Sequence, residues 1–381
     1  KTAYEIKECD WSSDVCSSDL EEIHFDSGDY HALLDKLMKY VEWEKLNKDL
    51  AARRAKGELV GVGLAMFVEK AGLGPADGVR IQVDTAGHVE VITGGASIGQ
   101  GFETVMGQVA AECLVTDYRK MRVTHGNTER IEQGIGAHAS RATVMTASAT
   151  RVAAMMVREK ALDMAAELMQ APVSSLDIVN GEVVRTDRKG GPSMTLGQIS
   201  AALLPHSKVR GNREPNLSAE GWYYADHQVY PYGDHLAVVK VDPDTGGVKV
   251  ERYVIAYDIG RAINPMLVKG QIVGGFAQGL GGALLEEFTY SENGDPLAVT
   301  FADYLMPTVK ETPDVEILLT EDYPSPINPL GIKGAGESGI NGVGGAIACA
   351  IDDAIGIPGA ITELPVTPQK LKAILASKKK R

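Results

Sequence analysis

Asn328-Pro329-Leu330-Gly331-Ile332-Lys333-Gly334-Ala335-Gly336-Glu337-Ser338-Gly339 sets four glycines around one carboxylate, just ahead of an apolar, helix-length run at 343–355. A glutamate between a glycine and a small residue has little cover from its neighbours. It can project into a pocket while the backbone closes tightly around a ligand. Burial there would raise its pKa toward the range of a useful general base. The same carboxylate also suits a helix N-terminus, where it faces the positive end of the macrodipole. This segment alone leaves both readings open.

Upstream, a pattern occurs twice. Val79, Ile81 and Val83 alternate with polar residues, turn at Thr85-Ala86-Gly87 and resume at 89–92, which predicts a β-hairpin. It leads into Gly94-Gly95-Ala96-Ser97-Ile98-Gly99-Gln100-Gly101 and a helical stretch at 102–114. The second copy is a strand at 236–242, a turn at 243–247, a strand at 248–257 and then Gly274-Gly275-Phe276-Ala277-Gln278-Gly279, expected as a second loop. A long helix is expected over 144–169, followed by a polar, turn-rich linker at 171–220 with a small hairpin and a short helix. Before the doubled pattern, an N-cap-rich turn at 25–30 opens a helix with Leu33, Leu34, Leu37, Met38 and Val41 on one face and a charged continuation to about 56. The expected fold class is α+β: two mixed α/β lobes, about 58–170 and 221–375, with hairpins and helices around a central cleft.

The loop at 94–101 joins a strand to a helix, where free backbone N–H groups could meet a phosphate. Its spacing is G-x-x-x-G-x-G, and no Gly-Lys-Ser/Thr follows, so neither the dinucleotide Rossmann loop nor the P-loop is supported. It reads either as a tight turn or as a ligand loop. Gln100 favours the second, because a side-chain amide offers donors and an acceptor to a heterocycle edge.

Composition narrows the classes. Of 381 residues 44% are hydrophobic and 23% charged, as in ordinary globular chains, while 42 glycines exceed the usual share of ~7%. A net charge of −13 argues against a nucleic-acid binder. No stretch reaches the ~20 apolar residues of a membrane span. Residues 1–20, KTAYEIKECDWSSDVCSSDL, lack periodicity and look like an adapter-derived, non-native prefix. They hold five acids, two bases and two cysteines, so the remaining 361 residues carry a net charge of −10 and only Cys113 and Cys349. Two cysteines cannot build an iron–sulfur cluster, which takes four thiolates, and they suit a reducing compartment, here expected to be cytoplasmic. The eight histidines show no metal-ligand spacing, so no protein metal ligands are expected.

Several motifs in one order carry a family resemblance: Phe-Asp-Ser-Gly-Asp-Tyr at 25–30, Ile-Gly-Gln-Gly at 98–101, Tyr-Pro-Tyr-Gly at 230–233, Gly-Arg-Ala-Ile-Asn-Pro at 260–265, Gln-Gly-Leu-Gly at 278–281, Asp-Tyr-Leu-Met-Pro at 303–307 and Gly-Ala-Gly-Glu at 334–337. The chain resembles the C-terminal part of the large, molybdopterin-binding subunit of the xanthine dehydrogenase/aldehyde oxidase family, in its carbon monoxide dehydrogenase-like branch. The resemblance implies that 21–57 end a first molybdopterin-binding domain, that 58–381 form a second, and that an upstream portion is missing. It implies that Glu337 is the base on a molybdenum-bound hydroxyl in the oxidation of a carbon centre (an aldehyde, N-heterocycle or similar), with water as the oxygen source. It implies cofactor contacts from Gly99, Gln100, Gly101, Ala139, Ser140, Arg141, Gln278, Gly279, Gly334 and Gly336. Gly126-Asn127-Thr128 departs from the family's Gly-Asp-Thr, and Ala139 from a common glycine.

The implied cofactor is molybdopterin with molybdenum, in the cytosine dinucleotide form, held through the pterin dithiolene. Iron–sulfur and FAD centres are expected on partner subunits rather than on this chain, with a dimer of heterotrimers as the assembly. The alternative is a catalytically incompetent fragment, or a cofactor-binding scaffold without redox activity.

Overall fold

The computed structural model describes Ile23 and residues 25–378, so the adapter-like stretch 1–20 lies outside the described residues. The elements run α1 (Tyr30–Tyr40), α2 (Trp43–Ala55), β1 (Leu59–Val68), β2 (Ala76–Val83), β3 (Val89–Thr93), α3 (Phe102–Cys113), β4 (Met121–Thr124), α4 (Ser148–Leu168), β5 (Leu176–Val179), β6 (Glu182–Arg185) and β7 (Met194–Thr195). They continue with α5 (Leu196–Ala202), β8 (Leu217–Tyr224), β9 (Tyr232–Val241), β10 (Val248–Asp258), α6 (Pro265–Leu284), β11 (Val315–Thr320), α7 (Val343–Ile355) and α8 (Pro368–Lys378). The fold is mixed α and β with open sheets, as expected.

One sheet has the order β1-β9-β10-β11, antiparallel except for the parallel β10–β11 pair. It is covered on both faces, and side-chain alternation explains how. Ala237, Val239, Val241, Tyr253, Ile255 and Tyr257 face α6 and α7. Leu236, Val238, Val254 and Ala256 face α1 and α2. A sheet buried on both sides needs near-continuous apolar strands, and β9 and β10 have them.

Helix α7 lies close against β1. A Cβ on Gly61 would sit 2.2 Å from Ala350 O, and one on Gly63 would sit 2.1 Å from Ala346 O. Glycine on the strand and alanine on the helix are what allow this approach. The expected continuous N-terminal helix is broken where Glu42 takes a left-handed φ of 53°. The break lets both Leu37 on α1 and Leu50 on α2 reach the same sheet face.

The second sheet has the order β4-β3-β2-β8 and packs on α3, α4 and α5. The stretch 171–220 contains the expected hairpin, β5–β6, and a short helix, α5. Leu176, Ile178, Val183, Leu196, Ile199 and Leu203 are buried in that core, so the segment packs as part of the lobe rather than hanging as a linker. Neither large sheet comes from one continuous stretch. β1 precedes β2 in sequence yet joins β9, and β8 returns to pair with β2.

Candidate active-site cleft

Between the two sheets lies a cleft with a cavity volume of about 230 Å³. Four segments line it: the loop before α3 through Ile98 and Gln100, the segment 137–143, the N-terminal end of α6 with Asn264, Leu267 and Gln271, and the loop from Lys333 to Glu337. Its walls mix apolar residues (Val105, Ile259, Ile263, Val268) with amide, hydroxyl and guanidinium groups.

The Glu337 loop is fixed from several sides. Lys333 N–H donates to Ile259 O at 3.0 Å, and Tyr257 Oη–H donates to Gly334 O. Glu337 N–H donates to Ser140 Oγ at 3.2 Å. His235, fully buried, lies 3.1 Å from Ser338 O through Nε2 and 2.8 Å from Tyr253 Oη through Nδ1. A carbonyl only accepts, so Nε2 carries the ring hydrogen and Nδ1 accepts from the tyrosine. Burial pushes His235 down to about 4, which keeps it in this neutral form. A Cβ on Gly334 would lie 2.3 Å from Ser140 Cβ, so only glycine lets the loop pass the serine.

Ser140 meets Glu337 because Ala139 and Ser140 both adopt left-handed backbone, with φ of 46° and 48°. Such conformations in non-glycine residues cost on the order of 1–3 kcal/mol each and persist where the surroundings over-determine them. Here Ala139 O accepts Gly72 N–H at 3.1 Å and Ser140 Oγ contacts two carboxylates, those of Glu337 and Glu69. Glu69 is pushed up to about 7, first by burial and then by the negative charge of Glu337. Behind the loop, Lys333 is buried 3.5 Å from Asp258 Oδ1 and 4.9 Å from the centre of the Tyr232 ring. Its Nζ makes no hydrogen bond among the described residues.

The sequence-predicted residues divide. Gln100, Ser140, Arg141, Gly334, Gly336 and Glu337 line the cleft, and Gly99, Gly101 and Ala139 adjoin those lining residues in the chain. Gln100 closes its own loop, accepting Ile98 N–H at 2.7 Å and donating to Ala96 O at 3.1 Å. The Arg141 guanidinium is fully buried on Leu73 O, Gly136 O and Ala76 O and ion-paired with Asp77 at 3.3 Å, so it clamps the segment from within.

Gln278 and Gly279 lie inside α6 rather than in a loop, because residues 274–282 continue its helix. Gln278 is absent from the cleft lining; Gln271, two turns earlier, is the α6 amide in the cleft. Gly275 and Gly279 of α6 serve contact instead. A Cβ on Gly275 would lie 2.9 Å from Gly339 Cα, and one on Gly279 would lie 2.7 Å from Val343 Cβ, so the Glu337 loop and α7 seat directly on this helix. Glu69, His235 and Tyr257 were missed by sequence reasoning, since no local motif marks them.

A family model described as a molybdopterin cofactor-binding domain matches residues 36–313. The chain belongs to the molybdopterin cofactor-binding domain family. It is 42% identical over 356 residues to the gamma subunit of the 6-hydroxypseudooxynicotine dehydrogenase complex of Paenarthrobacter nicotinovorans, covering 92% of this chain and 44% of the relative. It is 32% identical over 347 residues to the carbon monoxide dehydrogenase large chain of Afipia carboxidovorans, covering 87% and 42%. Among solved structures, the Cu,Mo carbon monoxide dehydrogenase superposes with a TM-score of 0.84 at 30% identity, over 93% of this chain and 46% of that one. Quinoline 2-oxidoreductase from Pseudomonas putida 86 gives 0.82 at 32% identity, over 92% and 46%. The chain therefore spans less than half the length of these relatives.

The cleft suits the cofactor of this family. Gln271 presents an amide and Ser140 a hydroxyl to the cleft, Gln100 and Asn264 border it with amides that also bond Ala96, Ile98, Gln108 and Leu267, and the N-terminal end of α6 with Arg261 offers positive potential to phosphates. Among the described residues no three His, Cys, Asp or Glu side chains gather as a metal-binding group. Nor is any described helix long and apolar enough to cross a membrane.

Proposed function

We propose that this chain is part of the catalytic subunit of a molybdenum hydroxylase, with Glu337 as its general base. The observation that carries the reading is a glutamate held on an over-determined loop at the edge of a cleft between two sheets in a molybdopterin-binding fold. When bound, the molybdenum cofactor supplies the two-electron redox and oxygen-transfer chemistry, with water as the ultimate oxygen source. Gly99, Gln100, Gly101, Ala139, Ser140, Gly334 and Gly336 would hold it, most of them through backbone, with Gln271 in the place expected for Gln278. Arg141 would act from behind, keeping Ala139 and Ser140 in their left-handed conformation. Glu337 would accept a proton at its carboxylate where it faces the cleft, and the apolar walls Val105, Ile259, Ile263 and Val268 would limit water there.

Relatives named for 6-hydroxypseudooxynicotine and quinoline favour an N-heterocyclic substrate. The cytosine dinucleotide form of the pterin, iron–sulfur and FAD centres on partner subunits, and a cytoplasmic location complete the proposal. The partner subunits are supported by relatives named as a gamma subunit and a large chain, and by only two cysteines after residue 20. In the complete enzyme, Glu337→Gln should lower turnover of an N-heterocycle by at least about 100-fold while molybdenum and pterin contents stay at wild-type levels. Turnover that survives the substitution would remove Glu337 from the role.

A further inference from the structure

Glu337 shares its serine with a second acid. Glu69 follows the last residue of β1, where its N–H donates to Pro231 O at 2.9 Å. Its Oε1 lies 3.0 Å from Ser140 Oγ, and the same Oγ is in short contact with Glu337 Oε2. A hydroxyl has one hydrogen. Two carboxylate oxygens lie at hydrogen-bonding distance from it, and both contacts can be hydrogen bonds only if one of the carboxyls brings a second hydrogen. The surroundings decide which carboxyl that is. The second oxygen of Glu69 meets one neutral donor, Asn341 Nδ2 at 3.2 Å, and Glu69 is held up to about 7 by burial and by its neighbour's charge. Glu337 opens on the cleft.

We infer that Glu69 is a positioning residue for Glu337: it carries a proton that it donates to Ser140 Oγ, so that Ser140 turns its own hydrogen onto the Glu337 carboxylate and holds it as the free base facing the cleft. The inference rests on the reading of Glu337 as base. No covalent bond to carbon changes. The donations run from Glu69 Oε1–H to Ser140 Oγ, and from Ser140 Oγ–H to Glu337 Oε2. Once Glu69 ionises, Ser140 can serve only one of two mutually repelling carboxylates. The titratable groups facing Glu69 are Glu337, across the serine, and Tyr257 of β10, whose hydroxyl is kept neutral by burial and committed to Gly334 O.

Isotope-edited infrared titration of the 381-residue chain counts protonated carboxyls without need of cofactor. With only the glutamate carboxyls isotope-labelled, so that the buried Asp234 does not contribute, a shifted protonated-carboxyl band is expected at about pH 6 that fades as pH passes about 7 and is missing from Glu69→Gln. In Glu337→Gln it should persist but titrate at lower pH, because the neighbouring charge is gone. A band untouched by Glu69→Gln, or abolished by Glu337→Gln alone, would overturn the inference.

In the complete enzyme, the amide introduced by Glu69→Gln can still donate to Ser140, whereas the methyl group of Glu69→Ala cannot. Glu69→Gln is therefore expected to keep roughly tenfold more kcat than Glu69→Ala and to lose the ionisation near neutrality from its kcat profile. Equal losses with an unchanged profile would contradict a positioning role. If the infrared result holds while Glu337→Gln leaves turnover intact, the base assignment fails and the shared proton stands. The reverse pattern removes Glu69 alone.

Discussion

Asp234 sits buried on β9, one residue from His235, with Oδ2 lacking a hydrogen-bond partner among the described residues, and burial pushes it up to about 7. Asp234 and Glu69 both hold protons in the folded chain that the unfolded chain releases in the ordinary carboxylate range. Their contribution to stability is full below that range and is lost as pH rises through about 7. His235, pushed down to about 4, acts in the opposite sense: its contribution is present above 6.5 and lost as pH falls through about 4. Two acids outweigh one histidine between the carboxylate range and neutrality, so the denaturant midpoint is expected to fall from about pH 5 to about pH 7. Asp234→Asn should flatten that fall, and a midpoint climbing steadily over the window would contradict the account. Glu337 was legible in the sequence because glycine spacing marks it within a few residues. Glu69, His235 and Tyr257 were not. Their meaning arises from register: β1 pairing with β9 brings the end of one strand beside Pro231, and β9 pairing with β10 sets His235 and Tyr257 under one loop.

The α6 glycines and the β1 glycines separate two uses of the same residue at the scale of elements. Gly63 faces the backbone of α7 with no room for a methyl group, whereas Gly270 in α6 has open space around its missing Cβ. Gly63→Ala should cost about 1–3 kcal/mol or more through overpacking, and Gly270→Ala should add about 0.5–1 kcal/mol through helix propensity. Urea denaturation of the two variants checks both signs, and a neutral Gly63→Ala would mean that α7 does not lie where it is described. Hairpins and amphipathic helices were readable because periods of 2 and 3.6 are local signals. The glycine run at 274–282 misled for a physical reason. Its low side-chain bulk resembles a loop, while its function is to let Gly339 and Val343 sit against a helix. The 171–220 stretch misled similarly, because its buried residues are scattered among turns and gain their core from distant elements, α4, α3 and the strands β2 and β3.

The whole molecule interleaves its lobes. β1 belongs with β9 and β8 with β2, so the chain crosses between sheets twice, and the segments at 69–75 and 225–231 that make those crossings run side by side. Ala71 and Val229 pair there, and both are buried in a core shared with α3, Val144, Leu330 and Ile332. That shared core fixes the Ser140 segment and the Glu337 loop against each other, which no length or composition reading could supply. The pairing of distant strands was invisible to a single sequence, whereas two lobes around a cleft were legible from the repeated hairpins. On the proposed function, this cleft holds the molybdenum cofactor beside Glu337. An anomalous-difference map at the molybdenum absorption edge, from crystals of the loaded complete protein, decides the point. A single metal peak is expected inside the cleft bordered by Gln100, Ser140, Asn264 and Glu337; a peak outside those residues, with the cleft filled only by solvent, would contradict the proposed function.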